Sequence, residues 1–142
     1  MSGFLLDTVT VSELRKAEKA DPKVVAWQKS VSGLSVWLSV ITLVEIRVGI
    51  GLVRPRAPDF AARLEAWYRQ KLLSSFEGRL LSVDQAVGEM AGELRVSAGL
   101  TPYDALIGAT AQVHGLTLVT RNVGDFKDVG IAIIDPWQGG SE

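Results

Sequence analysis

Apolar and polar positions along this chain fall into short blocks that switch repeatedly between strand-like and helix-like spacing. Phe4-Leu5-Leu6 is a compact apolar run ending at Asp7 and predicts a buried first strand. Ser12 to Lys16 reads as the body of a short helix. Asp21-Pro22 opens another, with Asp as cap and Pro in the first turn, running to about Ser30 with Val24, Val25 and Trp27 buried. Ser32-Gly33 breaks it, and the β-branched and aromatic run Leu34 to Ser39 predicts a second strand. Thr42 and Glu45 stand at capping-box spacing, which predicts a helix from Thr42 to about Leu52. A loop, Arg54 to Pro58, precedes an amphipathic stretch from Asp59 to Leu73 carrying Phe60, Leu64, Trp67 and Tyr68. Arg79 to Ser82 is a short strand. Asp84 opens a helix reaching Ala98, where Gly99 ends it; Thr101-Pro102 opens one reaching His114, with Gly115 behind it. Leu116 to Val119 is a strand, Thr120 to Asp128 a loop, and Gly130 to Ile134 the last strand. Asp135-Pro136-Trp137 closes the chain's ordered pattern.

Strands alternating with helices across short connections predict an α/β fold: a mostly parallel central sheet of about five strands, flanked by helices on both faces. Ligands of such sheets bind beyond the carboxyl ends of the strands, where strand order reverses. A length of 142 residues, 47% of them hydrophobic, suits one domain spanning 1–142.

Composition then removes whole classes of chemistry. With no Cys there is no disulfide framework, thiolate metal site or Cys nucleophile. With His114 alone, a multi-His zinc site or a His-relay hydrolase is set aside. A net charge of −1 provides no global basic footprint, so a nucleic-acid substrate needs a local basic rim. The start lacks a basic segment followed by a long apolar one, and the uncharged stretches Ser30–Val44 and Ala105–Thr120 are short and interrupted by polar residues. A cytoplasmic protein with no membrane partner is expected. No G-x-x-x-x-G-K-[ST], strand-following G-x-G-x-x-G or G-x-S-x-G run is present.

What remains is acidic. Asp7, Glu45, Asp104 and Asp125 each lie beside a predicted strand end or early helical turn, on the edge where an α/β sheet builds its site. Gathered together, four carboxylates repel unless a cation holds them, and a hard divalent ion used for phosphate chemistry is the usual answer. Each acid also has a local explanation. Asp7 can cap the next helix, Glu45 can complete a capping box, Asp104 complements a helix dipole, and Asp125 can be an ordinary loop residue. Glu45 is nonetheless the only charge between Lys29 and Arg47, and a buried Glu needs a partner. Thr120 and Asn122 can hydrogen-bond a water or phosphate at the same place, or hold the loop. His114 is expected to cap its helix, and the four Trp residues to sit in a core or interface. Arg47, Arg54 and Arg56 are candidates to attract RNA or meet a partner's acid.

Five fragments in order resemble the PIN domain of the VapC type, close to its FitB-like branch. They are Leu5-Leu6-Asp7-Thr8 with Val11-Ser12-Glu13-Leu14, Leu38 to Gly49, Asp104 to Ala111, Thr120 to Phe126, and Asp135-Pro136-Trp137. The resemblance covers nearly the whole chain. It implies a metal-dependent endoribonuclease, the toxin of a type II toxin–antitoxin pair, cutting tRNA or rRNA with Mg²⁺ or Mn²⁺. The family's acidic positions fall on Asp7, Glu45 and Asp104. Some relatives carry the fourth acid where this chain has Asn122 and others where it has Asp125; Asp125 is assigned as the acid and Asn122 as its polar helper. Asp7 and Asp104 are expected as principal metal ligands, Glu45 and Asp125 as holders of metal waters or of a second ion, and Thr120 as the group orienting the attacking water. Val9 stands where relatives often have Asn. A VapB-like or FitA-like antitoxin is the implied partner, with DNA reached only through it, and a homodimer is expected. The alternative is a non-catalytic or weakly catalytic subunit of a DNA-bound repressor complex. A receiver domain with an acidic pocket fits poorly, because Lys127 lies in the wrong kind of loop.

Overall fold

The computed structural model describes residues 2–139. Five strands form one all-parallel sheet in the order β3-β2-β1-β4-β5: β1 Phe4–Leu6, β2 Val36–Ser39, β3 Leu80–Leu81, β4 Thr117–Val119 and β5 Ile133–Ile134. Phe4 pairs with Val36 on one side and Thr117 on the other, so β1 is central. The chain winds outward from β1 to β2 and β3, then returns to place β4 on the opposite side. Strand order therefore reverses between β1 and β4, which opens a crevice at their carboxyl ends.

Among the described residues, seven α-helices of four or more residues cover the sheet: α1 Thr8–Arg15, α2 Pro22–Ser30, α3 Val40–Val53, α4 Pro58–Trp67, α5 Gln85–Ala98, α6 Pro102–His114 and α7 Val123–Phe126. Successive strand residues point to opposite faces, and this period divides the core in two. Leu5 and Leu118 face Val87, Ala91 and Leu94 of α5 and Ala105, Ile107 and Ala109 of α6. Leu6 and Val119 face Val11 of α1, Ile46 and Ile50 of α3, Ala61 of α4, and Tyr68 and Leu72 beyond it. The uncharged stretch of α6 is explained by burial: Ala105, Ala109 and Ala111 are each fully covered. Among the described residues, no helix is long and apolar enough to cross a membrane.

Several boundaries differ from the sequence pattern, and each has a local cause. Asp21, Asp84 and Thr101 cap α2, α5 and α6 as expected, and Gly99 and Gly115 end α5 and α6 in the left-handed region at φ 67° and 66°. The cap of α3, however, is Ser39, whose hydroxyl accepts from the Ile41 N–H at 3.0 Å. Thr42 and Glu45 lie inside the helix, so they form no capping box. Strand and helix are joined without a loop, and Ser39 is both the last residue of β2 and the cap of α3. The segment Thr120–Asp128 is not all loop, because Asn122 opens the one-turn α7. The amphipathic stretch starts at Pro58, passes through a π-helical turn at Tyr68–Leu72 and ends at Ser75. The outer strands are shorter than expected, only Leu80–Leu81 and Ile133–Ile134 being paired. In α2, Val24 is buried while Val25 and Trp27 are half-buried.

Candidate active site

The crevice between β1 and β4 is organised around Asp7. β1 ends at Leu6, and the Asp7 N–H bonds the Val119 carbonyl at 3.1 Å, which ties this residue to the end of β4. Asp7 caps α1: its Oδ1 accepts from the Thr10 N–H at 2.9 Å and the Thr10 hydroxyl at 2.7 Å. Its Oδ2 accepts from the Thr120 hydroxyl at 2.6 Å. One carboxylate oxygen therefore caps α1 and the other holds Thr120 at the end of β4. Thr120 in turn accepts from the Asn122 N–H at 3.0 Å, and the Asn122 side chain donates to Asp125 Oδ2 at 2.7 Å. Thr120, Asn122 and Asp125 thus form a hydrogen-bonded chain leading outward from Asp7.

Glu45, in the second turn of α3, is half-buried and accepts from the Thr8 hydroxyl at 2.5 Å; Thr8 and Thr42 share a further hydrogen bond at 3.1 Å. Burial pushes the Glu45 carboxyl above its ordinary value. The Thr8 hydrogen bond opposes this, and repulsion from Asp104 and Asp7 adds to it. Asp104 sits in the first turn of α6, capped by Thr101 through its N–H at 3.3 Å. Burial raises its carboxyl too, a hydrogen bond with Thr101 works against this, and Asp125 and Asp7 repel it. Asp7 acts on both Glu45 and Asp104, and Asp125 acts on Asp104. Pairwise repulsion thus links Asp104 with Asp7, Glu45 and Asp125, and Glu45 with Asp7, although the four come from different parts of the chain.

Among the described residues, none of these acids is ion-paired with Lys or Arg. Arg47 and Arg54, candidates to attract RNA, are instead held by Glu65 at 2.6 and 3.5 Å, together with Arg69 at 2.7 Å. The donor set is all oxygen, which suits a hard divalent ion, and His114 lies at the far end of α6. As the side chains stand, no three acidic or imidazole groups among the described residues are gathered tightly enough to share an ion. The set fits such an ion in kind: Glu45 and Asp104 are raised chiefly by burial, with a smaller part from neighbouring acids, and a cation would favour the ionised form of both.

A PIN domain model matches residues 4–132. The chain belongs to the PIN-domain family. Among PIN relatives it is 34% identical to "Toxin FitB" of Neisseria gonorrhoeae over 141 residues, covering 94% of this chain and 98% of the relative. It is 33% identical to "VapC ribonuclease Y4jK" of Sinorhizobium fredii over 142 residues, covering 95% and 98%. A solved structure of FitAB bound to an IR36 DNA fragment superposes with a TM-score of 0.87 at 31% identity, covering 98% of this PIN chain and 99% of that one. The all-parallel sheet flanked by helices is the PIN-domain fold, and it matches that of a solved FitAcB structure from Neisseria gonorrhoeae with a TM-score of 0.85.

The sequence reading missed Thr8 and Thr10. Their hydroxyls hold Glu45 and Asp7, and the available signal was two Thr residues within three positions of an acidic strand end. Val9, between them, is exposed.

Proposed function

We propose that this PIN-domain protein is a metal-dependent endoribonuclease, the toxin of a type II toxin–antitoxin pair, cutting tRNA or rRNA at a phosphodiester bond. The observation that carries the reading is the pairwise repulsion linking Glu45 and Asp104 to Asp7, and Asp104 to Asp125, with Asp7 at the carboxyl end of β1 and no basic side chain ion-paired to these acids among the described residues. Similarity to a protein named a VapC ribonuclease supports it. Asp7 and Asp104 would hold Mg²⁺ or Mn²⁺, with Glu45 and Asp125 holding its waters or a second ion. When bound, such an ion lowers the pKa of a water and offsets charge on phosphate oxygens. The chain's own part is orientation: Thr120 and Thr10 fix both oxygens of Asp7, Thr8 fixes Glu45, and Asn122 fixes Asp125. Thr120 therefore serves first by aiming Asp7.

Solved structures similar to this chain include toxin–antitoxin complexes, so the proposed partner is an antitoxin of VapB or FitA type. A cleft of about 540 Å³ is lined by Val11, Trp27, Trp67 and Phe76 together with Arg15, Lys29, Lys71 and Arg79, and by no carboxylate. An apolar segment carrying acidic residues would suit it. A homodimer is proposed through α3, where Val44, Val48 and Leu52 form one exposed stripe at helical spacing. Similarity to a DNA-bound complex keeps a second reading in play: a regulatory subunit that reaches DNA only through its partner.

One experiment separates the two readings. The purified chain alone is incubated with tRNA and rRNA in Mg²⁺ or Mn²⁺, then with EDTA, beside Asp7→Asn. Discrete cuts that need both the ion and Asp7 support the nuclease. A folded chain that cuts nothing under any ion favours the regulatory subunit.

A further inference from the structure

Arg121 lies between two residues the site already uses. Thr120 donates to Asp7, and Asn122 is bonded both to Thr120 and to Asp125, so the backbone carrying Arg121 is held between two members of the hydrogen-bonded chain that leads outward from Asp7. The side chain is not drawn into the acids. Its guanidinium carbon lies over the Trp137 ring, 4.7 Å from the centroid. Trp137 is 7% exposed, in the turn Pro136–Gln138 that packs against α2. Arg121 itself is exposed and, among the described residues, makes no ion pair with Asp or Glu. Glu13 feels its charge, but that carboxylate already bonds Lys16 at 2.9 Å and the Asp21 N–H at 2.7 Å.

This arrangement answers a difficulty of the crevice. An acidic site repels the phosphodiester it must cut, and a net charge of −1 does nothing to offset that. Laying a guanidinium over an indole limits its freedom while keeping its charge and its planar fork of donors, which matches two oxygens of one phosphate. We propose that Arg121 anchors a backbone phosphate of single-stranded RNA at the mouth of the acidic crevice, and that Trp137 is the positioning residue that holds its guanidinium there. This rests on the nuclease reading above and names a group through which that site holds its substrate.

The test uses the full chain with Asp7→Asn, which is expected to prevent cutting, and a short, labelled, mixed-sequence single-stranded RNA whose affinity is measured across a salt series. Losing one phosphate contact lowers the log–log salt slope by about 0.7 on a single strand. Arg121→Gln is expected to lower the slope by that amount with an unchanged thermal midpoint. Arg121→Lys is expected to keep the slope while binding more weakly, and Trp137→Leu to weaken binding with Arg121 still present. In the chain with Asp7 intact, Arg121→Gln is expected to raise KM by about tenfold or more and to change kcat little. An unchanged slope and KM in Arg121→Gln, with RNA still cut by the parent, overturns this inference and leaves the nuclease reading standing. Loss of activity that merely tracks a fall in thermal midpoint overturns it too, by making Arg121 a cover for Trp137. A parent chain that neither binds nor cuts RNA overturns both readings.

Discussion

The Thr120 hydroxyl donates to Asp7 Oδ2 at 2.6 Å, joining the carboxyl ends of β1 and β4 across 113 residues of chain. Thr120 is fully buried and also accepts the Asn122 N–H, so one hydroxyl serves both the first acid and the loop that carries the last. Thr120→Val keeps the shape and removes both bonds. A hydrogen bond to a charged group contributes about 1.5–3 kcal/mol, so urea unfolding should show a loss in that range with an unchanged denaturant slope. RNA cleavage should fall by about a hundredfold, because Asp7 loses its aim, and Thr120→Ser should restore most of it. Full cleavage by Thr120→Val would remove Thr120 from the site.

Glu45 and Asp104 give the stability of the metal-free chain a particular pH dependence. Both carboxyls are raised above their ordinary values of 4.5 and 3.8, chiefly by burial. Above those values the folded chain keeps protons that the unfolded chain has released. Stability contributed by these groups is therefore greatest in acid and falls as pH rises through their folded-state values. Glu13 and Glu65, lowered mainly by hydrogen bonds to Lys16 and Arg47, work in the opposite direction, so the comparison must be between parent and variant. In EDTA, Glu45→Gln and Asp104→Asn should melt higher than the parent near neutral pH, the difference fading toward about pH 4. Mg²⁺ should stabilise the parent more than either variant. Melting curves that keep the same spacing at every pH would show that these carboxyls are not raised in the fold.

These residues also show what a sequence can and cannot disclose. The caps Asp84 and Thr101-Pro102 and the stops Gly99 and Gly115 were legible because each acts on its own helix. Thr42 and Glu45 matched a local spacing equally well and misled, since the chain enters α3 straight from β2 and leaves capping to Ser39. Helix α7 was read as loop: its single turn is held by Phe126, 2% exposed beneath α6, and that contact is tertiary. The four acids could be picked out one by one from strand ends and helix starts. Their supporting hydroxyls could not, because Thr8 meets Glu45 across 37 residues and Thr120 meets Asp7 across 113.

Ser39 offers a direct check on how α3 begins. Its hydroxyl accepts the Ile41 N–H in a fully buried position, where water cannot replace it. Ser39→Ala should cost about 1–2 kcal/mol in urea unfolding, while Ser39→Thr should recover much of it. Because the same residue ends β2, amide exchange should quicken in the first turn of α3. A neutral Ser39→Ala would return the capping role to another residue.

Gly108 decides how tightly α6 meets α7, the one-turn helix that carries Asp125. A Cβ at Gly108 would lie 3.0 Å from Phe126 Cε1, 3.4 Å from its Cδ1 and 3.6 Å from Leu94 Cδ1. Ala favours a helix over Gly by roughly 0.5–1 kcal/mol, but overpacking a filled core costs about 1–3 kcal/mol. Phe126 is the largest fully buried side chain and cannot swing into solvent without leaving the core. Gly108→Ala should therefore destabilise by about 1–2 kcal/mol net, the two effects being opposed. It should also lower RNA cleavage by pushing α7, and Asp125 with it, away from Asp104. Gly92, on an exposed turn of α5 with nothing within 4 Å of an added Cβ, is the control: Gly92→Ala should stabilise by about 0.5–1 kcal/mol and leave cleavage unchanged. If both variants gain stability alike, Phe126 has slack, and the packing of α6 does not set the position of Asp125.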